Sequence, residues 1–327
     1  MPSAAEFVHG GSVKIQRMQS RWPNTIRAFN TLYMVSSAMP PGARWWAALA
    51  KRRGAALVWN QNGVSTPAWE ERGWRATNDA MRPLLLSADH VFYQSEFCKT
   101  TADRFLGPAR ASWEVLHNSV DTRVFVPRSS PLPESPLVLM LGGNQSDRYR
   151  LEAALAALGV LVRRGIHARL LVTGLLRWSH DAEQAMREAK EMIDRERVVG
   201  RVEFIGSYLQ ADAPALLQRA HILLHTKYND PCPGIVVEAL ASGLPVVYSA
   251  SGGVPELVGD DAGVGIPVES TYDRTIPPDP GALADGVERV QASLSVFSAA
   301  ARQRAVMRFD IEPWLARHAE VFERVRR

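Results

Sequence analysis

Residues 230–258 read DPCPGIVVEALASGLPVVYSASGGVPELV, and this stretch decides the fold class. Pro231 and Pro233 lack an N–H and fix their own φ, so the segment holding them cannot continue a preceding strand. A helix pattern opens at Gly234, with Pro233 at or just before the first turn, where proline is tolerated. After the SGL turn, PVVYS is a short apolar run, the mark of a strand buried on both faces. Helix passing directly into buried strand is the repeating unit of a parallel α/β sheet.

The same alternation extends upstream and downstream. LVLMLGG (137–143), ARLLVTG (168–174), VEFIGS (202–207), ILLHT (222–226) and AGVGIPV (262–268) read as strands. RYRLEAALAALGVLVRRG (148–165), DAEQAMREAKEMIDRE (181–196) and ADAPALLQRA (211–220) read as the helices between them. Before them, VPRSSPLPESP (126–136) interrupts the pattern as a semi-rigid linker. The first half is also α/β, with strands expected at 29–37, 55–60, 90–95 and 113–118 and helices at 43–53 and 96–107. Its opening offers only EFV (6–8) where a first strand is expected, so this half reads as abbreviated. The expected division is 1–130, 131–310 and a C-terminal amphipathic helix at 311–327. Two such sheets leave a cleft at their strand C-termini, where ligands of α/β folds lie.

Composition narrows the function classes. The chain has 327 residues and a net charge of +4, with 16 Lys and Arg against 10 Asp and Glu in residues 1–135. That surplus suits an anionic partner, although ordinary surface charge explains it equally simply. Only Cys98 and Cys232 occur, so no disulfide framework is implied and a reducing cytoplasm is expected. No zinc-finger spacing, basic repeat or aromatic RNA-binding motif points to nucleic acid. His9, His90, His117, His221 and His225 show no metal-ligand spacing, and adjacent Asp260 and Asp261 read as a turn, so no metal is expected.

The chemistry gathers at the proline loop. The N–H groups of Gly234, Ile235 and Val236 have no intrahelical partner, and the helix dipole makes them an anion site suited to phosphate. Asp230 precedes them and Glu238 lies one turn beyond. Carboxylates repel phosphate but grip neighbouring hydroxyls, so amides flanked by acids describe a nucleoside diphosphate sugar. The simpler alternative gives Glu238 to the helix dipole and Asp230 to a turn.

The whole segment resembles the donor site of retaining glycosyltransferase family 4, the group 1 glycosyltransferases of GT-B fold. Asp230 and Glu238 fall at that family's two acid positions, and ASGLPVVYSASGGVPE (241–256) matches nearly throughout. HNSVDTRVFVP (117–127) and SADHVFYQSEFCK (87–99) resemble further family segments. The resemblance implies two Rossmann-like domains with parallel sheets facing an interdomain cleft, and a C-terminal helix crossing back to the first domain. It implies a metal-independent, retaining transfer in which the departing diphosphate takes the acceptor proton. Glu238 would bind the ribose, Asp230 the donor sugar, and the amides after Gly234 the diphosphate of a UDP- or GDP-sugar. The family's basic pair near the diphosphate corresponds to Gly143-Asn144 and either Arg148 or Arg150. Gly10 and Gly11 resemble the first-domain glycine pair, and Asn60, Gln61 and Asn62 stand where an acceptor-side His is usual. Lys227 and His225, ending a strand at the cleft, and Gly253 are further candidates for the site.

Departures from the pattern are Asn144 for Arg, Asp230 for Glu and Ser119 for Gly. Asn144, Asp230 and the abbreviated N-terminal half motivate a competing reading, an inactive nucleotide-sugar-binding partner subunit; a further alternative is an epimerase of the same fold, which acts without an acceptor. The acceptor is a saccharide, a lipid-linked molecule or a small molecule. In RWWAALAKRR (44–53), Trp45 and Trp46 are expected to pack on the first sheet; the alternative is peripheral contact with the inner membrane surface through the basic N-terminal domain.

Overall fold

The computed structural model describes residues 10–326, so the EFV reading and His9 lie outside the described residues. After α1 (Gly10–Gln19), the first half runs β1 (Thr31–Val35), α2 (Ala43–Arg52), β2 (Ala56–Gln61), α3 (Trp74–Ser87), β3 (His90–Tyr93), α4 (Glu96–Phe105) and β4 (Ser112–Val115). Its four strands are parallel, in the order β1-β2-β3-β4. The second half runs β5 (Leu137–Leu141), α5 (Arg148–Arg163), β6 (Ala168–Thr173), α6 (Ala182–Arg195), β7 (Val202–Gly206), α7 (Ala213–Leu217) and β8 (Ile222–His225). It continues through α8 (Gly234–Ala241), β9 (Val246–Ala250), α9 (Val254–Val258), β10 (Gly263–Pro267), α10 (Pro280–Ala292) and α11 (Leu294–Arg308). These six strands are also parallel, in the order β10-β9-β8-β5-β6-β7. Last comes α12 (Ile311–Val325).

The second sheet reverses direction between β5 and β8. Chain leaving β5 builds outward through β6 and β7, then returns to lay β8 on the other side of β5. Ligands of open α/β sheets sit at such a switch point, outside the strand C-termini. The two segments there are 142–147 and 226–233, the glycine loop and the proline loop. Both faces of this sheet are covered: α5, α6 and α10 pack Leu151, Met192 and Leu283 on one side, and α8, α9 and α11 pack Val237, Leu257 and Ala301 on the other.

Helix α12 lies on the first sheet rather than the second. Trp314, Leu315, Val321 and Phe322 form a cluster with Val58 of β2, Phe92 of β3 and Met18 of α1. The opposite face is closed by α2, α3 and α4, and here one expectation is corrected. Helix α2 faces the sheet with Ala43, Ala47 and Ala50 and packs Trp46 partly against the same core, as expected, whereas Trp45 does not join it. Those alanines recur at i, i+4 and i+7 and form one stripe. Small side chains let the helix lie close, which turns Trp45 outward at 60% exposure. Among the described residues no helix is long and apolar enough to cross a membrane.

Candidate functional site

The glycine loop after β5 is shaped by what it touches. A Cβ on Gly142 would stand 2.7 Å from Ile235 Cγ1, so glycine lets this loop abut the first turn of α8. Gly143 adopts φ +79° and donates its N–H to Thr173 Oγ1 at 3.2 Å. Asn144 accepts the Leu175 N–H on Oδ1 at 2.9 Å. Both residues therefore brace the loop, and neither presents its main polar group to a ligand.

The two arginines part company. Positions two apart on a helix point about 200° away from one another. Arg150 turns inward, buried, and donates to the carbonyls of Asn144 (2.5 Å) and Gly142 (3.1 Å), with its Nε left without a partner. Arg148 is exposed and reaches Glu188 of α6 at 3.7 Å. Of the pair, only Arg150 stands at the switch point.

At the start of α8 no side chain caps the helix. The space where a Gly234 Cβ would lie is open, with nothing within 4 Å. The N–H groups of Gly234 and Ile235 remain as donors at this positive helix end. Val236 is a correction: its N–H donates to Pro233 O at 3.2 Å, because the first turn tightens onto its own cap residue.

Asp230 is buried beside a lysine and a histidine whose own pKa burial lowers. Its Oδ2 lies 3.2 Å from His225 Nε2 and 3.5 Å from Lys227 Nζ. Burial alone would raise its pKa, but Lys227, then His225 and Arg150, outweigh burial and hold the carboxyl well below the usual range. It stays ionised, and Oδ1 has no partner among the described residues. Lys227 in turn sits 4.7 Å from the centre of the Trp69 ring, a first-half residue.

Glu238 is buried inside α8, where six of eight residues are buried. A buried acid needs partners, and two come from elsewhere in the chain. Gln210 Nε2 donates to Oε1 at 2.7 Å, and Arg17 Nη2 of α1 lies 3.5 Å from the same oxygen. Arg17 also donates to the Ser119 carbonyl. Burial raises the Glu238 carboxyl, with Arg17 and Gln210 opposing it only in part. Oε2 has no protein partner among the described residues.

The halves meet along the proline loop. Ser95 caps α4 by accepting the Cys98 N–H and donates its own hydroxyl to Pro231 O at 2.7 Å. Glu256 of α9 accepts the N–H groups of Glu96 and Phe97 at 2.8 and 2.9 Å, anchoring α9 on the positive end of α4. Asn118 holds Cys232 O at 2.6 Å. Gly253 belongs to this support: its N–H donates to Asp230 O at 2.9 Å, and a Cβ there would lie 2.0 Å from Pro231 O. Its amide is taken by the protein, so it positions the loop instead of offering a donor. On the first-half lip, a Gly11 Cβ would stand 2.6 Å from Ser37 Oγ, which also receives Asn62 Nδ2 at 3.1 Å. Gly10 begins the same helix turn. Gln61 donates back to Asn62 O, and Asn60 Oδ1 accepts from Lys14 and Gln94. Neither Asn60 nor Gln61 therefore projects into the cleft as a free polar group.

Lys14, Arg17, Gln210 and Glu256 had no assigned role in the sequence reading. Lys14 is buried beneath the proline loop, 2.9 Å from Asn60 Oδ1, and burial pushes its pKa down to about 7. The unfolded value is about 10.4. Between these values the unfolded chain binds the extra proton, so stability should rise with pH through this window. Urea unfolding of the wild type and Lys14→Met across pH 7.5–9.5 should diverge by about 1.4 kcal/mol per pH unit. Parallel curves would mean that Lys14 titrates as a solvated amine.

Residues 135–293 match the family model described as "Glycosyl transferases group 1". Over 190 residues the chain is 26% identical to the phosphatidylinositol N-acetylglucosaminyltransferase gpi3 subunit of Schizosaccharomyces pombe, covering 58% of this chain and 40% of that protein. The chain thus spans about 40% of the length of that curated relative. Among solved structures, sucrose-phosphate synthase from Thermosynechococcus elongatus superposes with a TM-score of 0.75 at 16% identity, over 95% of this chain and 76% of that one. Anabaena HepE in complex with UDP gives 0.73 at 20% identity, over 95% and 81%. The two-sheet frame is the GT-B fold, and the match to the group 1 glycosyltransferase model lies in its second half.

Proposed function

We propose that the chain transfers a sugar from a nucleoside diphosphate sugar to a hydroxyl acceptor, with retention at the anomeric carbon and without a metal ion. The observation that carries this reading is the pairing at the α8 entrance. An uncapped helix start lies between two buried acids, and each acid keeps one oxygen free of partners among the described residues. The diphosphate sits on the Gly234 and Ile235 amides, the ribose hydroxyls on Glu238 Oε2, and the donor sugar hydroxyls on Asp230 Oδ1. As the anomeric C–O bond to the diphosphate breaks, the acceptor oxygen bonds to that carbon from the same face. The acceptor proton passes to the leaving diphosphate oxygen. Negative charge on the leaving group is met by the helix amides, Lys227 and Arg150, fixed in place before reaction. The retaining outcome and the independence from metal follow from the family 4 resemblance of residues 230–258.

HepE, which shares the fold, is described in complex with UDP, so UDP-sugars head the donor panel. Thermal-shift measurements with UDP-, GDP-, ADP-, TDP- and CMP-sugars test the reading. At ~100 times its Kd a true donor adds about 2.7 kcal/mol to stability, a rise of several degrees in Tm for a chain this size. If no nucleotide sugar moves Tm and none is turned over, the assignment is wrong.

A further inference from the structure

The outward face of α2 has an unusual charge environment. From Gly10 to Trp69 the chain holds eight Lys or Arg and no Asp or Glu. Two of the eight serve the interior, Lys14 on Asn60 and Arg17 on Glu238. The other six, Arg21, Arg27, Arg44, Lys51, Arg52 and Arg53, are exposed. The same surface carries large apolar side chains in water: Trp45 at 60% exposure and Ile26 at 63%.

These features are joined. The exposed surface of α2 presents Trp45, Ala48 and Arg52 opposite Ala43, Ala47 and Ala50, with Arg44 and Lys51 on its flank. Trp45 and Arg52 are seven residues apart, two turns along one side of the helix. Arg53 Nη1 donates to Ile26 O at 3.4 Å and lies 6.0 Å from the centre of the Phe29 ring, which fixes the 26–29 loop beside the helix end. The acid that neighbours the patch, Asp79 of α3, is already paired with Arg82. At the N-terminal end, α2 follows the Ser36–Ala38 turn, whose Ser37 meets Asn62 at the cleft lip.

We infer that this face of α2, with the 26–29 loop, docks on an anionic lipid bilayer. A surface of one charge sign carrying an exposed indole and an exposed aliphatic side chain matches an interface that is anionic at the headgroups and apolar beneath. Indole is at home at that boundary, with its ring among acyl chains and its N–H in the headgroup layer. Docked there, the protein holds the Ser37–Asn62 lip of the cleft beside the membrane surface.

Vesicle sedimentation of the 327-residue chain, with no sugar donor present, tests the inference separately from the proposed transfer. The chain should pellet with phosphatidylcholine vesicles containing phosphatidylglycerol and stay in the supernatant with phosphatidylcholine alone. Each basic residue near such a surface is worth about fivefold in partitioning. Lys51→Gln/Arg52→Gln should therefore weaken binding ~30-fold, and rising salt should weaken the wild type. Brominated lipid should quench wild-type tryptophan emission more than that of Trp45→Phe. Unchanged circular dichroism and Tm in both variants exclude misfolding as the cause. Equal binding to neutral vesicles, no loss in the double variant, or equal quenching in Trp45→Phe would overturn the inference. So would tighter binding to duplex DNA than to the anionic vesicles at the same salt.

Discussion

Asp230→Asn should lower kcat by roughly 10²–10³ at saturating donor, the scale seen when one preorganised electrostatic contact is lost from an active site. The substitution keeps the shape and one acceptor oxygen but removes a negative charge from beside Lys227 and Arg150. Lys227, His225 and Arg150 surround the carboxylate, and in the proposed transfer the donor sugar gains positive character as its bond to diphosphate breaks. The same loss should destabilise the free protein by about 3 kcal/mol, since neutralising one member of a buried charged group leaves the others uncompensated. The sign follows from the depressed carboxyl: its contribution is present above the unfolded value near 3.9 and is lost only as pH falls well below it. Asp230 thus remains charged at every practical assay pH, and no acidic limb in a rate profile belongs to it. Steady-state kinetics and urea unfolding of the variant check both statements. A destabilised variant that retained kcat within threefold of wild type would reduce Asp230 to a structural residue.

How far the chain announces this arrangement depends on whether the partners lie together in sequence. Strands β5, β6, β8 and β9 are legible as apolar runs because both faces of the second sheet are covered, leaving no polar alternation. Helix α11 is not legible, since it buries only Ala301 and Ala305 and carries no apolar stripe. Helix α3 is hidden because Pro83 interrupts a pattern that already opens on polar residues. In α2 the expectation holds for Trp46, partly packed on the first-half core, and fails for Trp45, because the close contact with the sheet falls to the alanines. At the site, Asp230, Gly234 and Glu238 could be read from one stretch, because spacing along a loop and a single helix turn sets their geometry. Arg17 and Gln210 reach Glu238 from other elements, and only tertiary packing brings them there. A signal for Arg17 did exist: Gly10, Lys14 and Arg17 recur at i, i+4 and i+7, which places the two cations on the face of α1 that begins at the glycine pair. Gln210, in a short turn ahead of α7, has no comparable pattern.

The second acid should behave oppositely when the protein is empty. In Glu238→Gln, donor affinity should fall ~10–100-fold, the range for hydrogen bonds to a charged group, with the loss falling on Kd or KM more than on kcat. Yet the free variant should be as stable as wild type at pH 7, or more so. The reason is the direction of the shift: burial raises the Glu238 carboxyl despite Arg17 and Gln210. A raised carboxyl contributes stability below the unfolded value near 4.3 and loses it as pH climbs through the folded value. Wherever it is ionised the side chain is therefore a net cost to the fold, and the neutral amide relieves it while still accepting from Arg17. A group that destabilises the empty protein but is needed for ligand is expected at a binding site, where function and stability compete. Wild-type donor affinity should also weaken as pH falls through the raised carboxyl's own range, since protonated Glu238 has less acceptor capacity, whereas the variant should be flat over the same range. Calorimetric titration with the donor at pH 5.5–8, beside thermal unfolding without it, separates the two effects. A variant that unfolds several degrees earlier yet binds donor with wild-type affinity would make Glu238 a strut between α1 and α8, and the ribose would have to find its acceptor elsewhere.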